Sequence, residues 1–164
     1  INLARVYMDL GFAHAKAGQI PEAKESCQRA STLFVEHNLQ TEKSFLGCLD
    51  GILARLEENF EKSEHFFRDS IHQLEGKASR VWLAETYYEL GVLYRQIKQP
   101  GKATEAFKSA VRTARGAGLA RQVGRYLQEL EGLNEIELFH VWMEDLPEIG
   151  ESNDGPPSAE RANP

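Results

Sequence analysis

The chain repeats itself at an interval of 40 residues, and this repeat constrains the fold more than any other feature. Three segments align without gaps, and glycine recurs in register at Gly11, Gly51 and Gly91. Other small or aromatic positions recur at the same interval, as Ala23, Ser63 and Ala103; Cys27, Phe67 and Phe107; Ala30, Ser70 and Ala110. Agreement at this many positions indicates a repeat protein in which one supersecondary unit is stacked several times.

Each unit has the pattern of two antiparallel helices. In the third unit, apolar residues at helical spacing surround Gly91, and a second apolar stripe follows at Ala103, Phe107 and Val111. Between them, Pro100 suits the first position of a helix, where the missing N–H is not needed. One hairpin cannot bury both of its faces, so neighbouring hairpins must stack.

These units resemble the tetratricopeptide repeat. In the third unit, the resemblance rests on Leu90-Gly91, Tyr94, Ala103, Phe107 and Ala110. The first unit repeats them as Leu10-Gly11, His14, Ala23, Cys27 and Ala30, and the second is degenerate, with Asp50-Gly51, Ala54, Ser63, Phe67 and Ser70. The period is 40 residues where the family usually has about 34, and Arg115 stands where a closing proline is usual. Longer helices with this period resemble the subclass found in large bacterial signalling proteins and transcription regulators and in some animal scaffolds.

The resemblance covers about residues 1–134 and implies an all-α fold, a right-handed superhelical stack of antiparallel helix hairpins. We expect repeats at about 4–43, 44–83 and 84–123 and a capping helix at about 119–133. The helices are predicted near 2–17, 21–37, 41–57, 60–75, 79–97, 100–116 and 119–133. An amphipathic C-terminal helix is predicted at 135–146, and a disordered acidic tail at 147–164.

Composition excludes several classes of protein. The net charge is −6, from 19 Lys and Arg against 25 Asp and Glu, which argues against a dedicated nucleic-acid binder. No apolar run approaches the roughly 20 residues of a membrane span. Cys27 and Cys48 lack metal-type spacing and indicate two reduced thiols in a cytoplasmic protein. Because the chain begins at Ile1 within a helical pattern, we expect either that it starts inside a longer protein or that its original start has been removed.

Catalysis has no supporting set of residues. Phosphate-binding loops, nucleophile elbows and zinc-protease motifs are absent from the sequence. A metal site could be drawn from His65 and His72 with Glu61 and Asp69, but the spacing favours ordinary pairs on a polar helix face. We therefore predict no enzyme, no cofactor and no metal.

The resemblance implies that the first helices of successive hairpins line a concave groove. Transferred by position, the partner-binding groove comprises Arg5, Met8, Phe12, Lys16, Phe45, Cys48, Ile52, Arg55, Glu85, Tyr88, Val92 and Arg95. Apolar side chains rimmed by cations suit an amphipathic helix or an extended peptide. Alternatively, Phe12, Ile52 and Val92 pack against adjacent helices of the stack. The carboxylate clamp of chaperone adaptors is absent, because Met8, Phe12, Leu49, Glu85 and Glu89 hold the matching positions.

Charge is unevenly placed near the C-terminus. Residues 98–128 carry seven cations and one acid, whereas residues 135–164 carry eight acids and one cation. One interpretation is a solvated basic face followed by a solubilising acidic tail. The other is that the segment with Phe139, Trp142 and Met143 docks on the stack, as a cap or as a competitor for the groove.

The sequence therefore predicts a protein–protein interaction scaffold that binds a partner peptide or helix in its groove, within a larger signalling, regulatory or assembly protein. One alternative is a regulatory domain that senses a peptide or small effector, and another is homo-oligomerisation through Phe139 and Trp142. Nucleic-acid binding through the basic patch Lys98–Arg125 is a weaker alternative, and no membrane partner is expected.

Overall fold

The computed structural model describes residues 2–76 and 79–132, which form seven helices and no strand. The helices are α1 Asn2–Lys16, α2 Ile20–Glu36, α3 Gln40–Leu56, α4 Phe60–Leu74, α5 Arg80–Gln96, α6 Pro100–Gly116 and α7 Ala120–Glu131. They pair as the antiparallel hairpins α1–α2, α3–α4 and α5–α6, and each hairpin packs on the next. The predicted all-α stack of hairpins is confirmed, and each predicted helix boundary lies within one or two residues of the observed one.

A recurring turn explains the spacing of the helices. All six connections place a residue with positive φ two positions after the helix, at Gly18, Asn38, Glu58, Gly76, Lys98 and Gly118. In the five connections of three residues, the next N–H donates to a carbonyl five residues earlier, as in Gln99 N to Tyr94 O at 2.8 Å. This is the Schellman closure of a helix C-terminus. Helices of mostly 17 residues joined by three-residue turns give a 20-residue step, and two steps give the 40-residue repeat.

The repeated glycines mark where the two helices of a hairpin approach most closely. A Cβ added at Gly51 would lie 2.5 Å from Cε1 of Phe67, and one at Gly91 would lie 2.6 Å from Cδ1 of Phe107. Both phenylalanines are fully buried. The recurrence of glycine and phenylalanine thus records one packing contact, in which the aromatic ring occupies the space that a side chain would fill.

One continuous apolar core runs through the stack and includes side chains of all seven helices. Phe34, Phe67, Phe107 and Tyr126 are its largest fully buried side chains. None of the helices in residues 2–76 and 79–132 combines the length and the apolar character that crossing a bilayer requires.

Candidate functional site

The odd-numbered helices α1, α3, α5 and α7 form an inner face, the name used here for the surface on which their side chains meet. Helix α1 packs on α3 and α3 packs on α5. Lys16 of α1 also reaches Glu85 of α5, with Nζ 3.1 Å from Oε1. Helices two hairpins apart therefore touch through their side chains, so this face is narrow and largely filled by the protein itself.

The structure divides the twelve predicted groove residues by burial. Five lie in the core, with exposed fractions of 8% or less: Met8, Phe12, Phe45, Cys48 and Ile52. Four are half-buried, namely Arg55, Glu85, Tyr88 and Val92, and three are exposed, namely Arg5, Lys16 and Arg95. Only the second and third groups present a substantial surface to a ligand.

An aromatic cluster accounts for much of the buried group. The ring centroid of Trp82 lies 4.9 Å from that of Phe12 and 5.5 Å from that of Phe45, so one indole joins α1, α3 and α5. Such pairs contribute about 0.5–1.5 kcal/mol beyond the area that they bury. Phe12 and Phe45 therefore stabilise the packing of α1, α3 and α5 from within the core.

A charged network covers this cluster. Glu85 pairs with Lys16 and with Arg125 of α7, and it accepts a hydrogen bond of 2.9 Å from the hydroxyl of Tyr126. Burial raises the pKa of Glu85, but Lys16 and Arg125 outweigh it and hold that pKa below its ordinary value. Glu85 is thus an ionised bridge between α1, α5 and α7.

A second ion pair lies deeper in the same face. Arg55 Nη2 of α3 donates to Glu89 Oε2 of α5 at 2.9 Å, and Glu89 is only 4% exposed. Burial raises the pKa of Glu89, and the nearby carboxylate of Glu85 acts in the same direction, against the attraction of Arg55. Removing one partner of such a pair typically costs about 3–5 kcal/mol, since the other charge stays buried.

The network continues to α7 through Glu129. Arg95 pairs with this carboxylate, and the Tyr88 hydroxyl donates to it at 3.2 Å. The Tyr88 ring stacks on Tyr126 with centroids 4.9 Å apart, and the Arg125 guanidinium lies over both rings. Burial, followed by the charge of Glu129, raises the pKa of Tyr88 to about 12. Tyr88 is therefore neutral at physiological pH.

Two pockets remain open on the inner face. The cationic pocket, of about 340 Å³, is lined on its polar side by Lys16, Arg55, Arg95, Arg125 and Glu89, and on its apolar side by Ile52 and Val92 among others. A second pocket of about 330 Å³ lies between α1, α5 and α7 beside Phe12, Trp82 and Glu85. Arg5, Met8, Phe45 and Cys48 line neither pocket.

Two of the arginines that line the cationic pocket each have a buried donor without a partner in the described part of the chain. Among the described residues, the buried Nε atoms of Arg55 and Arg125 have no hydrogen-bond partner. Buried donors without partners are rare and are often satisfied by a ligand or by water. With four cations and one carboxylate on its wall, this pocket can accept a carboxylate or a carbonyl oxygen.

Sequence reasoning missed the contribution of α7, which it interpreted as a cap alone. Arg125 and Glu129 lie 40 residues after Glu85 and Glu89, so extending the repeat by one further unit would have found them. Trp82 was also missed, since its role depends on helices far apart in sequence.

Other predictions concern sites that the described residues do not form or do not include. Within residues 2–76 and 79–132, no group of three or more His, Cys, Asp or Glu side chains is arranged to hold a metal ion. His65 pairs with Asp69 at 3.2 Å on an exposed helix face. The predicted docking segment with Phe139, Trp142 and Met143, and the predicted tail, lie outside the described residues.

Comparison with known proteins identifies the third hairpin. Residues 84–116, which cover most of α5 and all of α6, match the family model described as a tetratricopeptide repeat. None of the curated proteins searched matches the chain in sequence.

Proposed function

We propose that the inner face binds a peptide or helix of a partner protein, because residues 84–116 match the tetratricopeptide repeat and such repeats generally act as protein–protein interaction modules. The observation that carries the proposal is the cationic pocket, whose wall carries four cations and one carboxylate. An acidic side chain of the partner would meet the cations of this wall, and an adjacent apolar side chain would contact Val92.

The proposed binding site contains fewer residues than the twelve predicted from the sequence. Lys16, Arg55, Arg95, Tyr88 and Val92 remain accessible in the cationic pocket. Most of this wall is already held in place by ion pairs within the stack, so binding would immobilise few additional side chains. Preorganisation of this kind lowers the entropic cost of association.

The test uses a library of displayed peptides selected against the wild-type chain, with dissociation constants of the selected peptides measured by fluorescence anisotropy. The binding variant is Val92→Gln with Arg95→Gln, which changes the pocket wall and leaves the buried aromatic cluster intact. The matched control is Val35→Gln with Arg29→Gln on α2. That control removes one paired arginine, like the binding variant, and a valine that is exposed where Val92 is half-buried.

We expect the binding variant to lose about tenfold or more in affinity, which corresponds to roughly 1.4 kcal/mol, while the control binds like the wild type. The selected peptides should be rich in Asp and Glu, and their affinity should fall with added salt. Equal affinity of wild type, variant and control, or a selection that enriches no peptide, would refute the proposed site. A triple substitution of Phe12, Ile52 and Val92 is unsuitable, because Phe12 and Ile52 are core residues whose loss destabilises the fold.

We further propose that the module acts within a larger cytoplasmic signalling, regulatory or assembly protein. The supporting observation is that Cys27 and Cys48 are both free thiols and both buried, which suits a reducing compartment. Fluorescence microscopy of the full-length protein carrying a tag tests the location, and a secreted or periplasmic signal would contradict it.

A further inference from the structure

Helix α1 carries an apolar stripe that is open to solvent. Leu3, Val6 and Leu10 follow one another at helical spacing, and their exposed fractions are 56%, 50% and 42%. Across residues 2–76 and 79–132, the other large apolar side chains that are exposed are Val35 on α2 and Val81 on α5. Single exposed apolar residues are common, whereas a contiguous set marks a surface that another element covers.

The same positions are covered in the other two units. Adding 40 residues to Val6 gives Leu46, and adding 80 residues to Leu10 gives Leu90. Leu46 is 4% exposed and Leu90 is 7% exposed. Leu46 of α3 lines a pocket together with residues of α2, and Leu90 of α5 lines one together with residues of α4. The stripe on α1 is therefore the edge on which, in the other units, the second helix of the preceding hairpin packs.

A groove continues this stripe onto α2. It has a volume of about 510 Å³ and is lined by Leu3 and Tyr7 of α1 and by Leu33 of α2, among others. Arg29 holds the Tyr7 ring in place, since its Nη1 donates to the Tyr7 hydroxyl at 3.0 Å and its Cζ lies 5.3 Å from the ring centroid. The stripe and the groove share Leu3 and form one surface, named here the α1 edge, which comprises Leu3, Val6, Tyr7, Leu10, Leu33 and the α2 side chains that line the groove.

The α2 side of the α1 edge is acidic. Glu25 and Glu36 line the groove, and Glu22 lies one turn before Glu25 on the same helix. The cation that lines the groove, Arg29, is already paired with Glu25 at 2.6 Å. The carboxylates of Glu22 and Glu36 form no ion pair with any described residue. The edge therefore has negative charge that favours a cationic partner.

The other two hairpins carry the opposite charge at the position of Glu22. Lys62 and Lys102 stand there, and each lines the groove toward the preceding hairpin. Lys102 attracts Glu64, which lies across that groove on α4. Because Glu22 replaces the lysine on the first hairpin, the helix that matches the α1 edge carries a cation where α4 carries Glu64.

We propose that the α1 edge docks an amphipathic helix of a partner protein whose apolar face is flanked by Lys or Arg. The helix would lie on α1 as α2 lies on α3 and as α4 lies on α5, with its apolar face on Val6 and Leu10 and its cations toward Glu22 and Glu36. Two identical α1 edges are a poor match for each other, because pairing them would bring two acidic α2 sides together. The α1 edge shares no residue with the cationic pocket, so the chain would bind segments of opposite charge at two separate places.

The first test measures, by fluorescence anisotropy, how the full chain binds a labelled synthetic peptide in which leucines at helical spacing are flanked by lysines. A second peptide has glutamate in place of every lysine. We expect the lysine peptide to bind about tenfold or more tightly than the glutamate peptide, with an affinity that falls as salt is added. Equal affinities for the two peptides, or a lysine peptide that does not bind, would overturn the proposal.

The second test locates the bound lysine peptide with two matched substitutions. Val6→Gln removes an exposed valine from the α1 edge, and Val81→Gln removes one of similar exposure, 45%, beside the inner face. Val6→Gln should weaken binding about fivefold or more, Val81→Gln should leave it unchanged, and both proteins should unfold at the wild-type temperature. A loss with Val81→Gln instead of Val6→Gln would place the peptide on the inner face and reject the α1 edge.

The third test concerns the acidic side of the α1 edge. Glu36→Gln should weaken binding of the lysine peptide about twofold to threefold and make its affinity less dependent on salt. Glu61→Gln makes the same charge change at an exposed position of α4 and is the control. Equal binding by these two variants would contradict the ionic part of the proposal.

Two other occupants of the α1 edge are outcomes that count against a partner helix. A sedimentation mass that rises with concentration in the wild type but not in Val6→Gln would show that a second copy covers the edge. A lysine peptide that binds the 164-residue chain but not a longer natural protein that contains it would show that another part of that protein covers the edge.

Discussion

Two outer grooves built on the same 40-residue frame differ in chemistry. The groove between α4 and α6, of about 620 Å³ and called here the α4/α6 groove, has Leu90 and Tyr94 on its floor. The α2/α4 groove, of about 420 Å³, has Asp50 at the Leu90 position and Cys27 at the position of Phe67 and Phe107. The helices have nearly the same bounds in each unit, so the frame tolerates an acid and a thiol where the third hairpin has leucine and phenylalanine.

The α2/α4 groove tolerates Asp50 and Cys27 because these two side chains interact with each other. The Cys27 thiol donates a hydrogen bond of 3.5 Å to Asp50 Oδ1. Burial, followed by the charge and hydrogen bond of Asp50, raises the pKa of Cys27 to about 12. The thiol therefore stays protonated and partly satisfies the half-buried carboxylate. A repeat can thus exchange apolar packing for a polar pair without a change in backbone.

The largest expected effect is a difference in unfolding free energy between substitutions of the equivalent residues Phe107 and Cys27. Phe107→Ala should lower the free energy of unfolding by about 3–5 kcal/mol, whereas Cys27→Ala should lower it by only about 1 kcal/mol. Chemical denaturation of the purified chain measures both. Phe66→Ala, at a half-buried neighbour of the buried Phe67, is the control and should cost less than Phe107→Ala. Equal losses for Cys27→Ala and Phe107→Ala would show that the two hairpins are packed alike.

An intermediate effect is expected at the repeated glycines. Gly91→Ala should cost about 1–3 kcal/mol, because its Cβ would meet the ring of Phe107. Gly11→Ala should cost less, since the nearest atom to its Cβ is the flexible tip of Leu49, at 2.7 Å. The comparison is made by thermal and denaturant unfolding.

Gly124→Ala is the matched control for both glycines. A Cβ there would meet no heavy atom of the described chain within 4 Å, so alanine in this helix should stabilise by about 0.5–1 kcal/mol. Phe107→Leu should partly rescue Gly91→Ala by opening space. A Gly91→Ala protein as stable as Gly124→Ala would contradict the close approach of α5 and α6.

The smallest expected effect is a dependence on pH that arises from Asp50. Burial raises the pKa of this carboxyl above its ordinary value of 3.8, and the Cys27 hydrogen bond and Lys62 offset this only in part. The folded state therefore keeps its proton to higher pH than the unfolded state, and stability falls as pH rises from about 3.8 through the folded pKa. Asp50→Asn removes this loss, so it should stabilise the chain more at pH 7 than at pH 3.

Leu90→Asp is the reciprocal test of the same comparison. It introduces an acid at the equivalent position of the α4/α6 groove, where no thiol faces it in the repeat register because Phe67 replaces Cys27. It should destabilise the chain, and more at pH 7 than at pH 3. Unfolding curves at the two pH values measure both variants, and parallel shifts at both pH values would show that neither carboxyl is perturbed by burial.

Local sequence signals were sufficient for the fold but only partly for the inner face. The helix boundaries were predictable because turn residues, Pro100 and the apolar periodicity act within a few residues of one another. The positions of the groove residues were not. Met8 and Cys48 occupy groove positions by alignment, but in the structure both are core residues.

The reason is that burial on the inner face depends on how closely the odd-numbered helices converge. Trp82 of α5 reaches Phe12 of α1 across 70 residues of chain, and no helical periodicity encodes that distance. The pairing of Arg55 with Glu89 likewise joins two helices whose separation is set by the packing of whole hairpins.

The sequence by itself determined the repeat, the helices and the close contact of glycine with phenylalanine, because each depends on short-range geometry that the 40-residue period reproduces. Only the tertiary structure decided which inner residues are buried, which charges pair, and that α7 completes the cationic pocket with Arg125. The physical reason is that small differences in packing between hairpins add along the stack. The distance between α1 and α5, and with it the character of the inner face, is therefore a property of the assembled stack.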